Sequence, residues 1–177
     1  MKILIASDIH GSAYWCQKLT EAFESEHAER LILLGDILYH GPRNPLPQDY
    51  SPKKVVELLS PYAGRITCVC GNCESEVDQM VLPFNCSSDY GVLFADGINM
   101  HLSHGHRPTP PMCKGDVYLT GHTHVPLNAV EGTGYIHLNP GSVSLPKEDS
   151  WNGYIIYADG IFKFKDFNGI IKDARSI

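Results

Sequence analysis

Seven polar residues of this chain have the types and spacing that could do metal chemistry. They supply two carboxylates, one carboxamide and four imidazoles: Asp8, His10, Asp36, Asn72, His104, His122 and His124. Mixed nitrogen and oxygen ligands suit Mn, Fe, Co, Ni or Zn better than Ca. The set is large enough for two ions held side by side, with Asp36 as the candidate to bridge ions about 3.5–4 Å apart.

The elements before these residues indicate how they are positioned. The predicted strands of the first half are 2–6, 30–34 and 65–70, and the predicted helices are 12–26 and 53–59. This alternation predicts parallel strands with right-handed crossovers. Asp8, Asp36 and Asn72 then follow the carboxyl ends of strands, where open α/β sheets bind ligands. In Asp8-x-His10 and His122-x-His124, we expect an extended chain to point both side chains the same way.

The second half of the chain is mostly β. Its predicted strands are 91–94, 97–103, 117–120, 134–138, 153–158 and 161–167. Asp159-Gly160 predicts a hairpin turn between the last two. The proline-rich loop 39–52 is too long for a simple connector and is expected to shape a site. The expected architecture is an α/β sandwich of two packed, largely mixed sheets with helices outside, in a single domain over residues 1–177.

Composition limits the classes of partner. The formal charge of −6 and the pI near 5.8 argue against bulk binding to a nucleic-acid backbone. No apolar stretch approaches the roughly 20 residues that a membrane crossing needs, and nothing near the first residues reads as a targeting signal. We therefore expect a cytoplasmic protein in which most of the 6 cysteines are free thiols.

The order of the motifs D-x-H, G-D, G-N, H-G-H and G-H-T-H resembles that of the calcineurin-like metallophosphoesterases, from residue 2 to about residue 146. The strings 35–45 and 139–142 are similar to the YfcE-type bacterial phosphodiesterases in particular. The resemblance implies a metallophosphoesterase-type β-sandwich of two mixed sheets flanked by helices, in four αββα layers. It also implies a two-metal hydrolase that cleaves a small phosphodiester with a metal-bridging hydroxide. Mn is the favoured metal, with Fe, Zn, Co or Ni as alternatives.

The resemblance also implies a role for each residue. Asp8, His10 and His124 would hold the first metal, Asn72, His104 and His122 the second, with Asp36 bridging. The residues expected to be catalytic are Asp36, Asn72, Cys73 and His104. Relatives usually have histidine where this chain has Cys73, and a thiol is a poor hydrogen-bond donor to a leaving group. The candidates for substrate binding are Arg43, His40 and His106, while Glu74 is expected to orient a ligand such as His10.

Three alternatives remain open at this stage. The same site could serve a phosphomonoesterase. The chain could also be a catalytically inactive, Vps29-like protein-binding module, although such a module is expected to lose ligands and none is lost here. Cys70-x-x-Cys73 has the spacing of a redox pair or half a zinc site. The strand pair within 153–167 could leave an edge for a homodimer or higher homo-oligomer.

Overall fold

The computed structural model describes residues 1–177 and contains two packed β-sheets. The strands are β1 (Ile3–Ala6), β2 (Arg30–Leu33), β3 (Ile66–Cys68), β4 (Tyr90–Ala95), β5 (Ile98–Ser103), β6 (Val117–Leu119), β7 (Pro126–Glu131), β8 (Tyr135–Pro140), β9 (Gly153–Ala158), β10 (Ile161–Asp166) and β11 (Ile171–Ser176). The helices are α1 (Ala13–Ser25), α2 (Pro52–Leu59) and α3 (Glu76–Val81), with a 3-10 helix at Ser60–Arg65. The strand orders are β11-β10-β9-β1-β2-β3 and β4-β5-β6-β8-β7.

Both sheets are mixed, as predicted. In the six-stranded sheet, β1 pairs in parallel with β2, and β2 with β3, while β9 runs antiparallel to β1. In the other sheet, β6 is parallel to β5 and β8, and β4 and β7 are antiparallel edges. The three parallel strands therefore end at the same edge of their sheet, which is where the sequence places polar residues.

The core has two parts, one on each face of the six-stranded sheet. Leu4 of β1 packs into a cluster with Phe23 of α1 and Leu59 of α2. Its neighbours Ile3 and Ile5 point to the opposite face and pack in a cluster between the two sheets. Because every residue of β1 is buried, this strand forms the centre of the sandwich. The predicted β-sandwich with flanking helices is confirmed.

Four elements escaped the sequence reasoning: the 3-10 helix, α3, β7 and β11. The segment of β11, Ile-Lys-Asp-Ala-Arg-Ser, has five exposed residues and a bulged pairing with β10, so it lacks the apolar alternation that identifies strands. Its presence corrects the expectation of a free edge within 153–167, because β11 covers β10. The outer strands are β11 and β3 in one sheet and β4 and β7 in the other, and a homo-oligomer formed at such an edge stays a prediction. None of the helices is long and apolar enough to cross a membrane.

Candidate metal centre

Four of the predicted ligands form the first half of a buried cluster beside the end of β1. His10 Nε2 lies 3.5 Å from Asp8 Oδ1 and 3.5 Å from Asp36 Oδ2. His124 Nε2 lies 3.3 Å from Asp8 Oδ1 and 3.1 Å from His10 Nε2. Four side chains from three separate parts of the chain thus direct nitrogen and oxygen atoms to one point.

The second half of the cluster adjoins the first through Asp36. His104 Nε2 lies 3.4 Å from Asp36 Oδ2 and 3.0 Å from Asn72 Oδ1. The same Asn72 oxygen lies 2.7 Å from His122 Nδ1. All seven sequence-predicted ligands therefore meet in one place, with Asp36 Oδ2 between a group led by His10 and a group led by His104.

Five of these residues have a left-handed backbone, which non-glycine residues rarely adopt. The φ angles are 59° at Asp8, 50° at His10, 56° at Asp36, 69° at His122 and 63° at His124. The expected convergence of Asp8 with His10, and of His122 with His124, is present, but its predicted cause is wrong. The chain turns sharply at these positions and is not extended. Such strain persists where the surrounding structure over-determines it, and it concentrates at functional sites.

Two glycines allow the loops to approach closely enough for the cluster to form. A Cβ added to Gly121 would lie 2.8 Å from Asp8 Oδ2 and would overlap the side chain of Ser7. A Cβ added to Gly71 would lie 2.5 Å from the backbone nitrogen of Asp36. Because real Cβ atoms do not approach this closely, any larger residue at either position would push a ligand-bearing loop aside.

Backbone carbonyl groups fix the protonation of three histidines. His10 Nδ1 donates to Tyr39 O at 2.7 Å, His104 Nδ1 to Leu34 O at 2.7 Å, and His124 Nδ1 to Leu145 O at 2.6 Å. A carbonyl oxygen only accepts hydrogen bonds, so Nδ1 carries the proton in each neutral ring. Each Nε2 then presents a lone pair to the cluster, as a metal-ligating histidine does.

The donor set fits bound cations. The Nε2 atoms of His10 and His124 face each other although both are acceptors in the neutral rings, and Asp8 Oδ1 is buried without any hydrogen-bond partner. Burial opposes ionisation of Asp8, but the neighbouring histidines outweigh it and lower the pKa of this carboxyl well below its usual range. Burial likewise disfavours a charged His104, yet Asp36 and Asp8 raise its pKa to about 9. The two carboxylates thus favour positive charge next to them. Divalent ions bound by the imidazoles would supply that charge.

Glu74 accepts hydrogen bonds from backbone N–H groups around the site and not from the side chains of the proposed ligands. Its Oε1 accepts from the N–H of Ile37 at 2.6 Å, and its Oε2 accepts from the N–H groups of Asp36, at 2.8 Å, and Gly71. Glu74 was expected to orient a ligand such as His10; it instead holds Asp36 through the backbone N–H, and Tyr39 orients His10. Burial and the charge of Asp36 raise the pKa of Glu74 to about 7, while the backbone N–H groups oppose that shift.

The cluster opens into a polar cavity of about 390 Å³, and Arg43 is part of its wall. Lys147 also lines the cavity. Sequence reasoning missed this lysine because it follows an unremarkable Ser-Leu-Pro segment, and only the fold places it there. His40 is absent from the lining, since its ring packs between Tyr39 and Tyr50. The geometry therefore gives no support to His40 as a substrate-binding residue.

His106 lies beside the cluster but outside the cavity wall. Its ring centroid is 5.4 Å from that of His104 and 6.1 Å from that of His122. Burial, together with the positive charge of His104, lowers the pKa of His106. The ring is thus a neutral neighbour of the ligands, and a substrate contact by His106 stays a prediction.

The surroundings of Cys70 and Cys73 disfavour a redox pair. All six are free thiols. Burial, with help from nearby carboxylates, raises the pKa of both Cys70 and Cys73, whereas a redox motif needs a lowered thiol pKa. Cys73 lies in the cluster itself: its N–H donates to Asp36 Oδ1 at 2.9 Å, and its Sγ lies within 4.8 Å of ligand atoms of His10 and Asp36.

Known proteins resemble this chain over most of its length. Residues 1–158 match the model of the calcineurin-like phosphoesterase superfamily domain. Phosphodiesterase YfcE of Escherichia coli K12 is 43% identical over 151 residues, which cover 83% of this chain and 82% of the relative. The solved structure of YfcE, a phosphoesterase from E. coli, covers 100% of both chains with a TM-score of 0.96 and 38% identity.

A more distant likeness concerns the fold alone. The zinc complex of Vps29 from Entamoeba histolytica superposes with a TM-score of 0.68 at 16% identity, covering 99% of each chain. At that identity the match establishes a shared arrangement of strands and helices, and it carries no argument about chemistry.

Proposed function

This chain belongs to the calcineurin-like phosphoesterase superfamily, and on that premise we propose that it is a metal-dependent phosphodiesterase acting on a small organic diester. The observation that carries the proposal is the pair of ligand groups sharing Asp36, since His10 and His104 both approach Asp36 Oδ2, at 3.5 and 3.4 Å. Two divalent ions held there would polarise phosphoryl oxygens and lower the pKa of a bound water towards neutrality.

The interatomic distances separate the proposed ligands into two groups. Asp8, His10 and His124 would hold one ion and Asn72, His104 and His122 the other, with Asp36 shared. Mn is the first choice, with Fe, Zn, Co or Ni as alternatives, because mixed imidazole and oxygen ligands suit all of them. Availability in the cell decides among them as much as the ligands do.

The surrounding residues of the chain fix the ligands in place. Glu74 ties the loop after β2 to the loop after β3 through the N–H groups of Asp36 and Gly71. The N–H of Cys73 orients the carboxylate of Asp36 from the other side. A preorganised site of this kind does not have to reorganise when charge develops on the reacting phosphoryl group.

Two cationic side chains extend the site toward an anionic substrate. Arg43 and Lys147 line the same cavity as His122 and His124. Their charges favour a phosphate ester even though the chain carries a formal charge of −6. Arg43 can also bind phosphate oxygens in the forked geometry that favours recognition of a phosphoryl group.

Cys73 faces the cavity as a neutral thiol, because burial and the charge of Asp36 raise its pKa. A thiol donates hydrogen bonds weakly. We therefore expect diesters whose leaving group needs little protonation, such as aryl oxides, to react fastest. The predictions of a single domain over residues 1–177, a cytoplasmic location and a homo-oligomer accompany this proposal.

The proposal is tested by hydrolysis of bis(4-nitrophenyl) phosphate with chelator-stripped protein, before and after Mn²⁺ is added. The matching monoester, 4-nitrophenyl phosphate, is assayed beside it. Cleavage of the diester that depends on Mn²⁺, with little cleavage of the monoester, is the expected result. Preference for the monoester would make the protein a phosphatase. Tight metal uptake without turnover of either ester would make it a Vps29-like binding module.

A further inference from the structure

An apolar groove lies next to the polar cavity, on the far side of Cys73. It has a volume of about 380 Å³, and its apolar wall consists of Leu38, Tyr39, Tyr50, Pro52, Val77 and Val81. Cys73 lines both the groove and the polar cavity. The two spaces therefore adjoin at a single small side chain next to the proposed metal ligands.

Several apolar residues of this groove are exposed and are not covered by other parts of the fold. Val77 is 61% exposed, Val81 47% and Tyr39 42%, so these side chains leave much of their apolar area in water. The groove also contains Ser75 and Asp78, but these two bind each other, Ser75 Oγ donating to Asp78 Oδ1 at 3.0 Å. What the groove offers to a ligand is thus mainly apolar contact.

The walls of the groove are tied directly to the metal centre. The carbonyl of Tyr39 accepts the Nδ1–H of His10 at 2.7 Å. On the other side, the N–H of Cys73 binds Asp36 Oδ1 at 2.9 Å. The groove therefore borders the metal centre on the side of Cys73.

We propose that this groove is the subsite for one apolar ester group of the substrate, an aryl or branched alkyl group. The inference rests on the proposed function, and it narrows the substrate class to diesters with at least one apolar ester group. Small alkyl esters would leave the groove empty. An apolar ester group would displace water from Val77, Val81 and Tyr39, and burial of apolar area favours binding.

The test compares two diesters of equal charge, diphenyl phosphate and dimethyl phosphate, by calorimetry on the Mn-loaded protein. We expect diphenyl phosphate to bind at least about tenfold more tightly, since a partly buried phenyl ring contributes that much. Val81→Asp should reduce the ratio to about one. Met80→Asp is the matched control: it adds the same charge to the adjacent position of α3, but Met80 is 82% exposed and does not line the groove.

Each result decides the matter. A ratio that is the same in Val81→Asp and Met80→Asp would overturn the subsite. So would a change in sedimentation mass with Val81→Asp at an unchanged ratio, because the groove would then bind a second copy of the chain. Should Val81→Asp fail to fold, Val77→Asp carries the same expectation. Hydrolysis of bis(4-nitrophenyl) phosphate by the wild type separates the subsite from the proposed function. If the wild type hydrolyses this ester but binds diphenyl and dimethyl phosphate equally, only the subsite is overturned. If it does not hydrolyse the ester, the proposed function is overturned together with the subsite.

Discussion

The Nε2 atoms of His10 and His124 lie 3.1 Å apart, and each ring donates its Nδ1–H to a backbone carbonyl. Both Nε2 atoms therefore carry lone pairs when the rings are neutral, and two lone pairs at this distance repel each other. A cation coordinated by both rings converts the repulsion into binding. The arrangement of this pair thus favours positive charge between the two rings, which a coordinated metal ion or a proton supplies.

Metal removal should lower the thermal stability of the protein. An ion that binds only the folded state, at about 100 times its dissociation constant, contributes about 2.7 kcal/mol, which corresponds to about 5–10 °C in Tm for a chain of this size. Calorimetric scans before and after chelation, and after adding back Mn²⁺, measure the shift. The Tm of the Asp36→Asn variant should change far less on chelation than that of the wild type. A wild-type Tm unaffected by chelation would contradict the metal site.

Glu74→Gln should weaken the site without removing any ligand. The amide nitrogen cannot accept the N–H groups of Asp36 and Gly71 that Glu74 Oε2 accepts. Leaving buried N–H groups without an acceptor costs about 1–3 kcal/mol, and loss of a group that positions ligands lowers metal affinity about 10–100-fold. Titration with Mn²⁺ measures the affinity. The neighbouring Glu76→Gln, on an exposed residue of α3, is the control and should bind Mn²⁺ like the wild type.

Gly121→Ala should displace Asp8. The added Cβ would lie 2.8 Å from Asp8 Oδ2 and would overlap Ser7, and overpacking of this kind costs about 1–3 kcal/mol. Urea denaturation and Mn²⁺ titration measure stability and affinity, and both should fall. Gly64→Ala serves as the control, because no atom lies within 4 Å of its added Cβ. Equal metal affinity in both variants would show that Gly121 does not shape the site.

Cys73→His should change which diesters react well. An imidazole can protonate a leaving group, whereas the Cys73 thiol is a weak donor whose pKa is raised by burial and by Asp36. We expect the rate on alkyl leaving groups, relative to aryl leaving groups, to rise about tenfold or more. Values of kcat/KM for paired substrates measure the ratio, and Cys73→Ser is the control. An unchanged ratio would exclude Cys73 from the leaving-group step.

Acid should destabilise the protein partly through Glu26, far from the metal centre. Burial raises the pKa of Glu26, but hydrogen bonds from Lys165 and Lys2, at 2.5 and 2.8 Å, outweigh burial and lower it below its usual 4.5. The unfolded state therefore binds the proton more readily, so the contribution of Glu26 is present above about pH 4.5 and is lost as the pH falls below it.

Urea denaturation at pH 7, 5 and 3.5 tests this. The free energy of unfolding of Glu26→Gln should lie below that of the wild type at pH 7, and the gap should narrow at pH 3.5. Glu57→Gln provides the comparison, because Glu57 pairs with Lys54 on the surface with both side chains 54% exposed and contributes little. A gap for Glu26→Gln that does not depend on pH would contradict the assignment.

The sequence by itself determined the types of candidate ligand and the strands that precede them. Asp8, Asp36 and Asn72 follow three apolar strands, and parallel strands must end at the same edge of a sheet. Local patterns were sufficient here because the apolar residues of each strand identify it, and each of these polar residues follows shortly after its strand. Strand β11 was missed because it lacks such a local pattern: its pairing depends on β10 and not on its own residues.

Only the tertiary structure decided how the ligands converge and what surrounds them. Left-handed backbone at Asp8 and His10 cannot be read from the residue types, because most Asp and His residues have a negative φ. The roles of Glu74 and Lys147, and the meeting of two cavities at Cys73, arise from contacts between segments distant in the chain. Such contacts depend on how whole elements pack, and no local spacing in the sequence encodes them.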